Sequence, residues 1–212
     1  MSKTGPFEKH PAQYEAWFKK YPAVYHAELR AVQDLLPENG CGLEVGVGTG
    51  RFAAPLGIKL GVEPSATMAE TAMQKEIQVA GGVAEALPLK SAQLDFILMV
   101  TTVCFLDDLG QAFQEAWRVL KNQGLFLVGL VDRLSPLGQN YLVHKNKSVF
   151  YREALFYSVN EIVQALEQKG FRDFRFRQTI FQDLPDITSA EPIAFGHGKG
   201  SFVVISGQKE AT

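Results

Sequence analysis

The stretch Leu43-Glu44-Val45-Gly46-Val47-Gly48-Thr49-Gly50 decides the fold of this chain. A short apolar run that breaks into alternating glycines is typical of a strand turning into a helix, where missing Cβ atoms let a ligand lie against bare backbone. A second apolar run ends at Gly61-Val62-Glu63-Pro64-Ser65, roughly 20 residues later, as two adjacent βα units require. Its terminal Glu63 is a carboxylate that can accept both hydroxyl protons of a ribose. Together the two runs predict a site for a nucleoside-containing cofactor.

The spacing of the glycines separates two classes of cofactor. A nicotinamide or flavin fingerprint needs a third small residue where the helix packs close under a pyrophosphate, and Arg51 occupies that position here. Glu44 stands two residues before Gly46, and Gly50 comes one residue too early for a dinucleotide. The spacing therefore disfavours an NAD-dependent oxidoreductase, which is kept as the weaker alternative.

This pattern resembles the first motif of the class I S-adenosylmethionine-dependent methyltransferases, and further motifs follow in that family's order. The stretch Gly82-Val83-Ala84-Glu85-Ala86-Leu87-Pro88-Leu89 is similar to the family's loop that closes over adenine. Residues 94–100 resemble its aspartate-led fourth strand, and residues 113–128 resemble its next helix, turn and fifth strand. The resemblance covers about half of the chain, residues 43–131. It implies a small-molecule enzyme similar to the methyltransferase domains of ubiquinone and menaquinone biosynthesis.

The resemblance implies a site for S-adenosyl-L-methionine, with S-adenosyl-L-homocysteine as the product. In the family, the glycine loop carries the methionine part of the cofactor and the acid of the second strand binds the ribose, a role that matches Glu63. The implied cofactor-binding residues are Glu44, Gly46, Gly48, Thr49, Gly50, Glu63, Pro64, Ser65, Met68, Val83, Ala84, Glu85, Val100 and Thr101. The family often has an Asp where Val83 stands, so Glu85 or backbone carbonyls are expected to bind the adenine amino group.

Apolar runs alternate with helical patterns along the chain. The runs at 42–47, 58–63, 77–80, 95–100 and 125–131 indicate a parallel sheet covered on both faces, and 171–181 with 201–206 predict an antiparallel pair at its edge. The predicted fold is a doubly wound, Rossmann-like α/β sheet of seven strands, mostly parallel, with an antiparallel C-terminal edge strand. A length of 212 residues with 46% hydrophobic content fits one domain, 1–212.

Two segments are candidates for covering the acceptor of the methyl group. Residues 1–37 predict a helical cap rich in aromatic side chains. Residues 132–157 form an insert that interrupts the alternation of strands and helices at the carboxyl edge, where ligands bind in such sheets. The candidate acceptor-binding residues are Tyr14, Trp17, Tyr21, Phe105, Asp132, Tyr141 and His144. Several of these also have a structural interpretation. Aromatic residues at helical spacing usually pack in a core, Asp132 can form an ion pair with Arg133, and His144 lies among lysines in a solvated segment.

Methyl transfer from a sulfonium is an in-line displacement, which chiefly requires that acceptor, methyl group and sulfur are held collinear and that water is excluded. A base is needed only where the acceptor atom carries a proton that it cannot lose unaided, so the sequence identifies no catalytic residue. The predicted function is methyl transfer to a small-molecule acceptor. A non-catalytic protein that binds the same cofactor is the alternative, since its glycine loop would look identical.

Composition argues against other partners. The net charge is -2 without a long basic stretch, and the fourth strand runs into Thr101-Thr102-Val103-Cys104-Phe105 instead of the Pro-Pro-aromatic motif of base-methylating enzymes, so nucleic acid is not an expected partner. No segment resembles a signal peptide or approaches the ~20 apolar residues of a membrane span, so we expect a cytoplasmic protein without a membrane partner. Cys41 and Cys104 lack metal-ligand spacing, so no metal site is expected, and Cys104 is interpreted as a small apolar lining residue.

Overall fold

Eight strands form one mixed sheet in this computed structural model, which describes residues 3–210. Residues 1, 2, 211 and 212 of the predicted domain lie outside the described part. The strands are β1 (Gly42–Val45), β2 (Leu60–Glu63), β3 (Gln78–Gly81), β4 (Leu94–Val100), β5 (Leu120–Val131), β6 (Phe171–Thr179), β7 (Ala194–Phe195) and β8 (Phe202–Lys209). Their order in the sheet is β3-β2-β1-β4-β5-β8-β6-β7.

The first five strands of this order run parallel, and β8 is antiparallel to both β5 and β6. The predicted doubly wound sheet with an antiparallel C-terminal edge is therefore confirmed. It has eight strands where seven were predicted, because the two-residue β7 pairs with Arg177 and Gln178 at the edge. A two-residue strand is too short to produce an alternating pattern in the sequence.

Helices pack on both faces of the sheet. Those of the described residues are α1 (Gly5–Lys9), α2 (Pro11–Lys20), α3 (Pro22–Gln33), α4 (Ala66–Met73), α5 (Leu109–Val119), α6 (Pro136–His144) and α7 (Val159–Gln168). A proline opens α2 and α3, where its fixed φ suits the first turn. A capping box of Ser158 and Glu161 is present at the start of α7, and Gly170 follows its end with a φ of +89°.

The helix that the glycine pattern predicts after β1 does not form. Residues 51–57 make consecutive turns instead. Pro55 has no N–H to donate, and Gly57 adopts a φ of +74°, a left-handed conformation that ends helical winding. The Ile58 N–H then returns to the carbonyl oxygen of Ala53 at 2.9 Å, so the chain re-enters the sheet after this compact connection.

Two hydrophobic cores lie on opposite faces of the sheet, because successive side chains of a strand alternate between its faces. In β4, Ile97 and Met99 belong to one core, while Leu98 and Val100 belong to the other. Helices α5 and α7 cover the first core and α3 covers the second, with Val24 of α3 fully buried. The helices α2 and α3 are thus part of the second core.

Helix α1 spans two loops at the carboxyl edge of the sheet. The Glu8 carboxylate accepts hydrogen bonds from the Ala66 N–H at 2.7 Å and the Thr67 hydroxyl at 2.6 Å, at the start of α4. Just before α1, the Lys3 ammonium donates to the carbonyl oxygen of Leu106, beyond β4, at 3.0 Å. These contacts hold α1 across the edge where the strands β1, β2 and β4 end.

Candidate functional site

A cavity of about 440 Å³ opens at this carboxyl edge, between α1 and the loops that follow β1 to β4. Its wall brings together residues that are far apart in the sequence. The predicted cofactor residues that line it are Gly46, Gly48, Glu63, Pro64, Met68, Val83, Ala84, Glu85, Val100 and Thr101. Glu44, Thr49, Gly50 and Ser65 are not part of the wall.

Two glycines of the loop after β1 adopt left-handed backbone conformations, for different reasons. Gly46 has a φ of +71°, and a Cβ there would lie 2.5 Å from the Cγ2 atom of Thr102. Gly48 has a φ of +54°, and its Cβ would point into the cavity, 3.5 Å from the hydroxyl of Tyr14 and 3.8 Å from the Cε of Met68. Side chains at these positions would therefore disturb the loop or fill the cavity.

Glu63 fixes the loop and faces the cavity. One carboxylate oxygen accepts from the Gly48 N–H at 2.8 Å and the other from the Ser65 N–H at 2.9 Å. Burial raises the pKa of Glu63, and the two backbone hydrogen bonds oppose that rise. Because each carboxylate oxygen has a second acceptor position, Glu63 can hold the loop and also accept from a ligand hydroxyl.

The predicted residues outside the wall shape the loop from behind. The buried Glu44 carboxylate accepts from the Ala53 N–H at 2.7 Å, and burial raises its pKa well above the usual value. Ser65 is the N-cap of α4. Gly50 packs closely against Ala72 of α4. These residues support the cavity wall without contacting the space that it encloses.

Arg51, at the position where a dinucleotide fingerprint needs a small residue, joins the loop to α2. Its guanidinium pairs with the Glu15 carboxylate and lies 5.0 Å from the ring centre of Phe18. The Thr49 hydroxyl donates to the same carboxylate. Arg51 therefore serves as an anchor between the glycine loop and the N-terminal helices.

Glu85 links the predicted adenine loop to the loop after β4. Its Oε1 atom accepts from the backbone N–H groups of Asp107 at 2.8 Å and Asp108 at 3.3 Å. The neighbouring Val83 and Ala84 add an apolar surface to the cavity. That Glu85 binds an adenine amino group stays a prediction.

Aromatic rings border the cavity beside α1. The ring centre of Phe7 lies 5.0 Å from that of Phe105 and 5.1 Å from that of Phe150, and Tyr14 lies 6.1 Å from Phe150. Tyr14 and Phe105, both predicted on the acceptor side, line the cavity. Phe7, Lys3 and Thr4 also line it, and no pattern in the sequence indicated this, because a five-residue helix has no measurable periodicity.

The other acceptor candidates lie away from this cavity. Trp17 and Tyr21 pack on each other with ring centres 5.6 Å apart, next to the second core. Asp132 is buried and accepts from the Leu134 N–H at 3.0 Å, which stabilises the turn after β5. His144 is exposed at the end of α6. The structure therefore does not bring these four residues to the cavity wall.

A second cavity of about 20 Å³ lies behind Thr101, which lines both cavities. The stacked rings of Tyr141 and Tyr151, 5.1 Å apart, form part of its wall. Cys104 also lines it, donates to the Thr101 carbonyl oxygen at 3.3 Å, and has a pKa that burial raises to about 12. Cys104 is thus a protonated thiol at neutral pH and no nucleophile.

The part of the chain that is described has no cluster of three or more His, Cys, Asp or Glu side chains arranged to hold a metal ion. Over the same residues, none of the helices is both long and apolar enough to span a membrane.

Known proteins resemble this chain in both sequence and structure. Residues 43–128 match a family described as a methyltransferase domain. The crystal structure of a SAM-dependent methyltransferase from Thermotoga maritima is 48% identical in sequence, with a TM-score of 0.96 over 98% of this chain and 100% of that one. This chain belongs to the class I S-adenosylmethionine-dependent methyltransferases. The methyltransferase is thus an enzyme with S-adenosylmethionine as its cofactor, not an NAD-dependent oxidoreductase or a non-catalytic binding protein.

Two curated proteins are also similar to this methyltransferase. An uncharacterized protein from Methanocaldococcus jannaschii is 39% identical over 203 residues, which cover 96% of this chain and 98% of that protein. A malonyl-[acyl-carrier protein] O-methyltransferase from Geobacter sulfurreducens is 30% identical, and the match covers 85% of this chain and 74% of that enzyme.

The cavity of the methyltransferase fits its cofactor. The backbone at Gly48 leaves open a space that a Cβ would enter, and Glu63 presents acceptors for ribose hydroxyls. Val83, Ala84 and Val100 give an apolar surface suited to a flat base. These residues could therefore hold S-adenosylmethionine, which when bound supplies an electrophilic methyl group on a sulfonium.

Proposed function

We propose that this methyltransferase transfers the methyl group to a small-molecule acceptor. The observation that carries the proposal is the cluster of Phe7, Tyr14, Phe105 and Phe150, which borders the cofactor cavity on the side of α1. Because α1 lies across this side, an acceptor bound beside the cofactor would have aromatic side chains around it. Such a pocket suits a small acceptor with a flat or apolar body better than a polymer, which needs an open groove.

In this proposal, the predicted residues of the cavity wall hold the cofactor. The loop of Gly46 and Gly48 carries the methionine part, Glu63 accepts from the ribose hydroxyls, and Val83 and Ala84 flank the adenine. Charge-assisted hydrogen bonds to a buried carboxylate are strong, so Glu63 is expected to contribute most among the polar groups.

The residues of the chain hold the acceptor in position and exclude water from the pocket. Burial raises the pKa of Tyr14, so its hydroxyl is a hydrogen-bond donor at neutral pH and not a base. Cys104 is protonated for the same reason. With neither group available as a base, the chain accelerates the displacement by holding the acceptor in line and by keeping the pocket dry.

The cap and the insert act as covers of the acceptor in this proposal, within a single domain of residues 1–212. Of the described part of the predicted cap, 1–37, α1 and the residues just before it lie over the cavity and Tyr14 of α2 lines it, whereas α3 and the rest of α2 pack in the core. The insert, 132–157, is tied to the loop after β4 by the Leu155 N–H, which donates to the Cys104 carbonyl oxygen at 2.8 Å. Both segments thus reach the loops from which an acceptor would enter.

The similar proteins differ in the acceptors that their names give. The Geobacter enzyme methylates an oxygen of malonyl-[acyl-carrier protein], and the Thermotoga protein is described as a possible histamine N-methyltransferase. A quinone-type acceptor, implied by the resemblance of the sequence, stays a prediction. The proposal therefore specifies a small-molecule acceptor and does not specify which of its atoms is methylated.

The test is to find what the enzyme labels. Purified protein and isotopically labelled S-adenosylmethionine are added to an extract of the source cells, and the small-molecule, protein and nucleic-acid fractions are analysed by mass spectrometry. We expect label in the small-molecule fraction, and much less there with a Gly48→Val variant, in which cofactor binding is weakened. Label in only the protein or nucleic-acid fraction would refute the proposal.

A further inference from the structure

The backbone N–H groups of the loop after β1 already have partners within the protein. Those of Gly46 and Val47 both donate to the carbonyl oxygen of Val62, at 2.8 Å and 3.2 Å. The Gly48 N–H donates to the Glu63 carboxylate at 2.8 Å. Free N–H groups in a glycine-rich loop would bind an anion, but these three are not free. A negatively charged group of a ligand beside this loop therefore needs another donor.

Positive charge is also scarce around the cofactor cavity. Lys3 is the only Lys, Arg or His among the described residues of its wall. Its ammonium donates to the Leu106 carbonyl oxygen at 3.0 Å and lies 3.9 Å from the Asp107 carboxylate. The Asp107 N–H in turn donates to Glu85, so Lys3 lies at the end of the cavity that holds the predicted adenine loop. A negatively charged group beside Gly48 must therefore be bound by neutral donors.

The hydroxyl of Tyr14, in α2, is a neutral donor beside Gly48. A Cβ on Gly48 would lie 3.5 Å from the hydroxyl oxygen and 3.9 Å from the Cζ atom of Tyr14. The ring is held by neighbouring rings, with its centre 5.2 Å from that of Phe18, 6.0 Å from that of Phe7 and 6.1 Å from that of Phe150. The Tyr14 hydroxyl is therefore held at the cavity wall by packing of its own ring.

This hydroxyl has no hydrogen-bond partner among the described residues. In the same part of the chain, every buried side-chain oxygen that is shielded from water has a partner. The Tyr14 hydroxyl must therefore be reached by water, and the space that it lines is the cofactor cavity. A tyrosine hydroxyl can donate one hydrogen bond, and here that bond is available to a ligand.

The proposed orientation of the cofactor brings its methionine part to this hydroxyl. Glu63 accepts from the ribose hydroxyls, and the base lies against Val83 and Ala84 on one side of the ribose. The methionine part then extends on the other side, along Gly48 and Tyr14. Of its charged groups, the carboxylate is the one that requires hydrogen-bond donors.

We propose that the Tyr14 hydroxyl donates a hydrogen bond to the carboxylate of S-adenosylmethionine and thereby positions its methionine part. The inference rests on the proposed orientation of the cofactor and not on the nature of the acceptor. It assigns the hydroxyl of Tyr14 to the cofactor, while the ring stays in the aromatic cluster on the side of α1. Helix α2 is then part of the cofactor site as well as of the core.

The test compares S-adenosylmethionine with two analogues that lack its carboxylate. Decarboxylated S-adenosylmethionine keeps the sulfonium and the amine, whereas 5′-methylthioadenosine keeps only the base, the ribose and a thioether. Dissociation constants are measured by calorimetry for wild type and for Tyr14→Phe, which keeps the ring. We expect Tyr14→Phe to raise the Kd for S-adenosylmethionine roughly tenfold or more and to leave the Kd for both analogues within about twofold.

Tyr25→Phe is the matched control. Tyr25, in α3, is also half-buried, but its hydroxyl donates to the Arg51 carbonyl oxygen within the protein. This variant should melt at a lower temperature and keep the wild-type ratio of the Kd values for S-adenosylmethionine and its decarboxylated analogue. Tyr14→Phe should keep the wild-type melting temperature, because the lost hydroxyl has no partner in the described protein.

Three results would overturn the assignment of Tyr14. The first is an unchanged Kd for S-adenosylmethionine in Tyr14→Phe, and the second is an equal rise for S-adenosylmethionine and its decarboxylated analogue. The third is a loss of the wild-type ratio in Thr101→Val but not in Tyr14→Phe, because Thr101 carries another hydroxyl of the wall without a partner among the described residues.

One further result would refute the orientation on which the inference rests. If Tyr14→Phe weakened the binding of 5′-methylthioadenosine as much as that of S-adenosylmethionine, the base or the ribose would lie against Tyr14. The acceptor plays no part in these measurements. A failure of the small-molecule function would therefore appear only in the labelling of the extract, and a failure of the Tyr14 assignment only in the binding data.

Discussion

Replacing Glu63 by alanine should weaken cofactor binding more than it weakens the fold. The substitution removes the acceptor of the Gly48 N–H, at 2.8 Å, and of the Ser65 N–H, at 2.9 Å, together with the carboxylate proposed to bind the ribose. Glu63 is 8% exposed and lines the cavity, so water can enter the vacated space. The two backbone N–H groups can then donate to water, which limits the loss of folding stability.

The magnitude follows from the hydrogen bonds. A bond to a charged group contributes about 1.5–3 kcal/mol, so two bonds to ribose hydroxyls would give about 3–6 kcal/mol if nothing replaced them. Water in the vacated space replaces part of this hydrogen bonding. We therefore expect the affinity for the cofactor to fall between about tenfold and about a hundredfold. The free energy of unfolding should fall by about 1 kcal/mol or less, since removing a buried carboxylate whose pKa is raised offsets part of the lost hydrogen bonding.

Calorimetric titration with S-adenosylhomocysteine, together with a thermal melt, measures both effects. Glu63→Gln should lie between wild type and Glu63→Ala, because the amide keeps one acceptor oxygen for the loop. Glu70→Ala, on the exposed side of α4, is the control and should change neither quantity. A folded Glu63→Ala variant with an affinity within twofold of wild type would show that Glu63 does not bind the ribose.

Three further predictions concern Gly48 in the loop after β1, the buried carboxyl group of Glu28 in α3, and helix α1. Gly48→Val should raise the Kd for S-adenosylhomocysteine more than tenfold by calorimetry, because its φ of +54° strains a branched residue whose methyl groups enter the cavity; an unchanged Kd would contradict this. Glu28, with a pKa raised from 4.5 to about 8, binds its proton more tightly in the folded state, so its contribution lowers stability as pH rises between those values. Urea unfolding at pH 5 and pH 8 should show a smaller loss of stability for Glu28→Gln than for wild type, by about 3–4 kcal/mol, and parallel losses would contradict the burial of this group. Glu8→Ala should speed tryptic cleavage after Lys9, because α1 loses its hydrogen bonds to α4; an unchanged rate would mean that these bonds do not hold the cover.

Local features of the chain, which depend on residues close in sequence, could be predicted from the sequence. The glycines of the loop after β1, Glu63 at the end of β2 and the capping box at Ser158 each depend on residues close in sequence at fixed spacing. The alternation of apolar runs with helical patterns predicted a mostly parallel sheet, because the period of a strand and the length of a crossover are local properties. The family and its cofactor followed from these motifs alone.

Only the tertiary structure decided which side chains share a cavity. Phe7 reaches the wall because Glu8 attaches α1 to α4, and Glu44 supports the loop from behind because Ala53 folds back onto it. Glu28 is buried only because α3 packs on β6 and β8. Burial and charge environment arise from elements distant in sequence, so no local pattern encodes them. The residues on the acceptor side of the site could therefore be identified only from the tertiary structure.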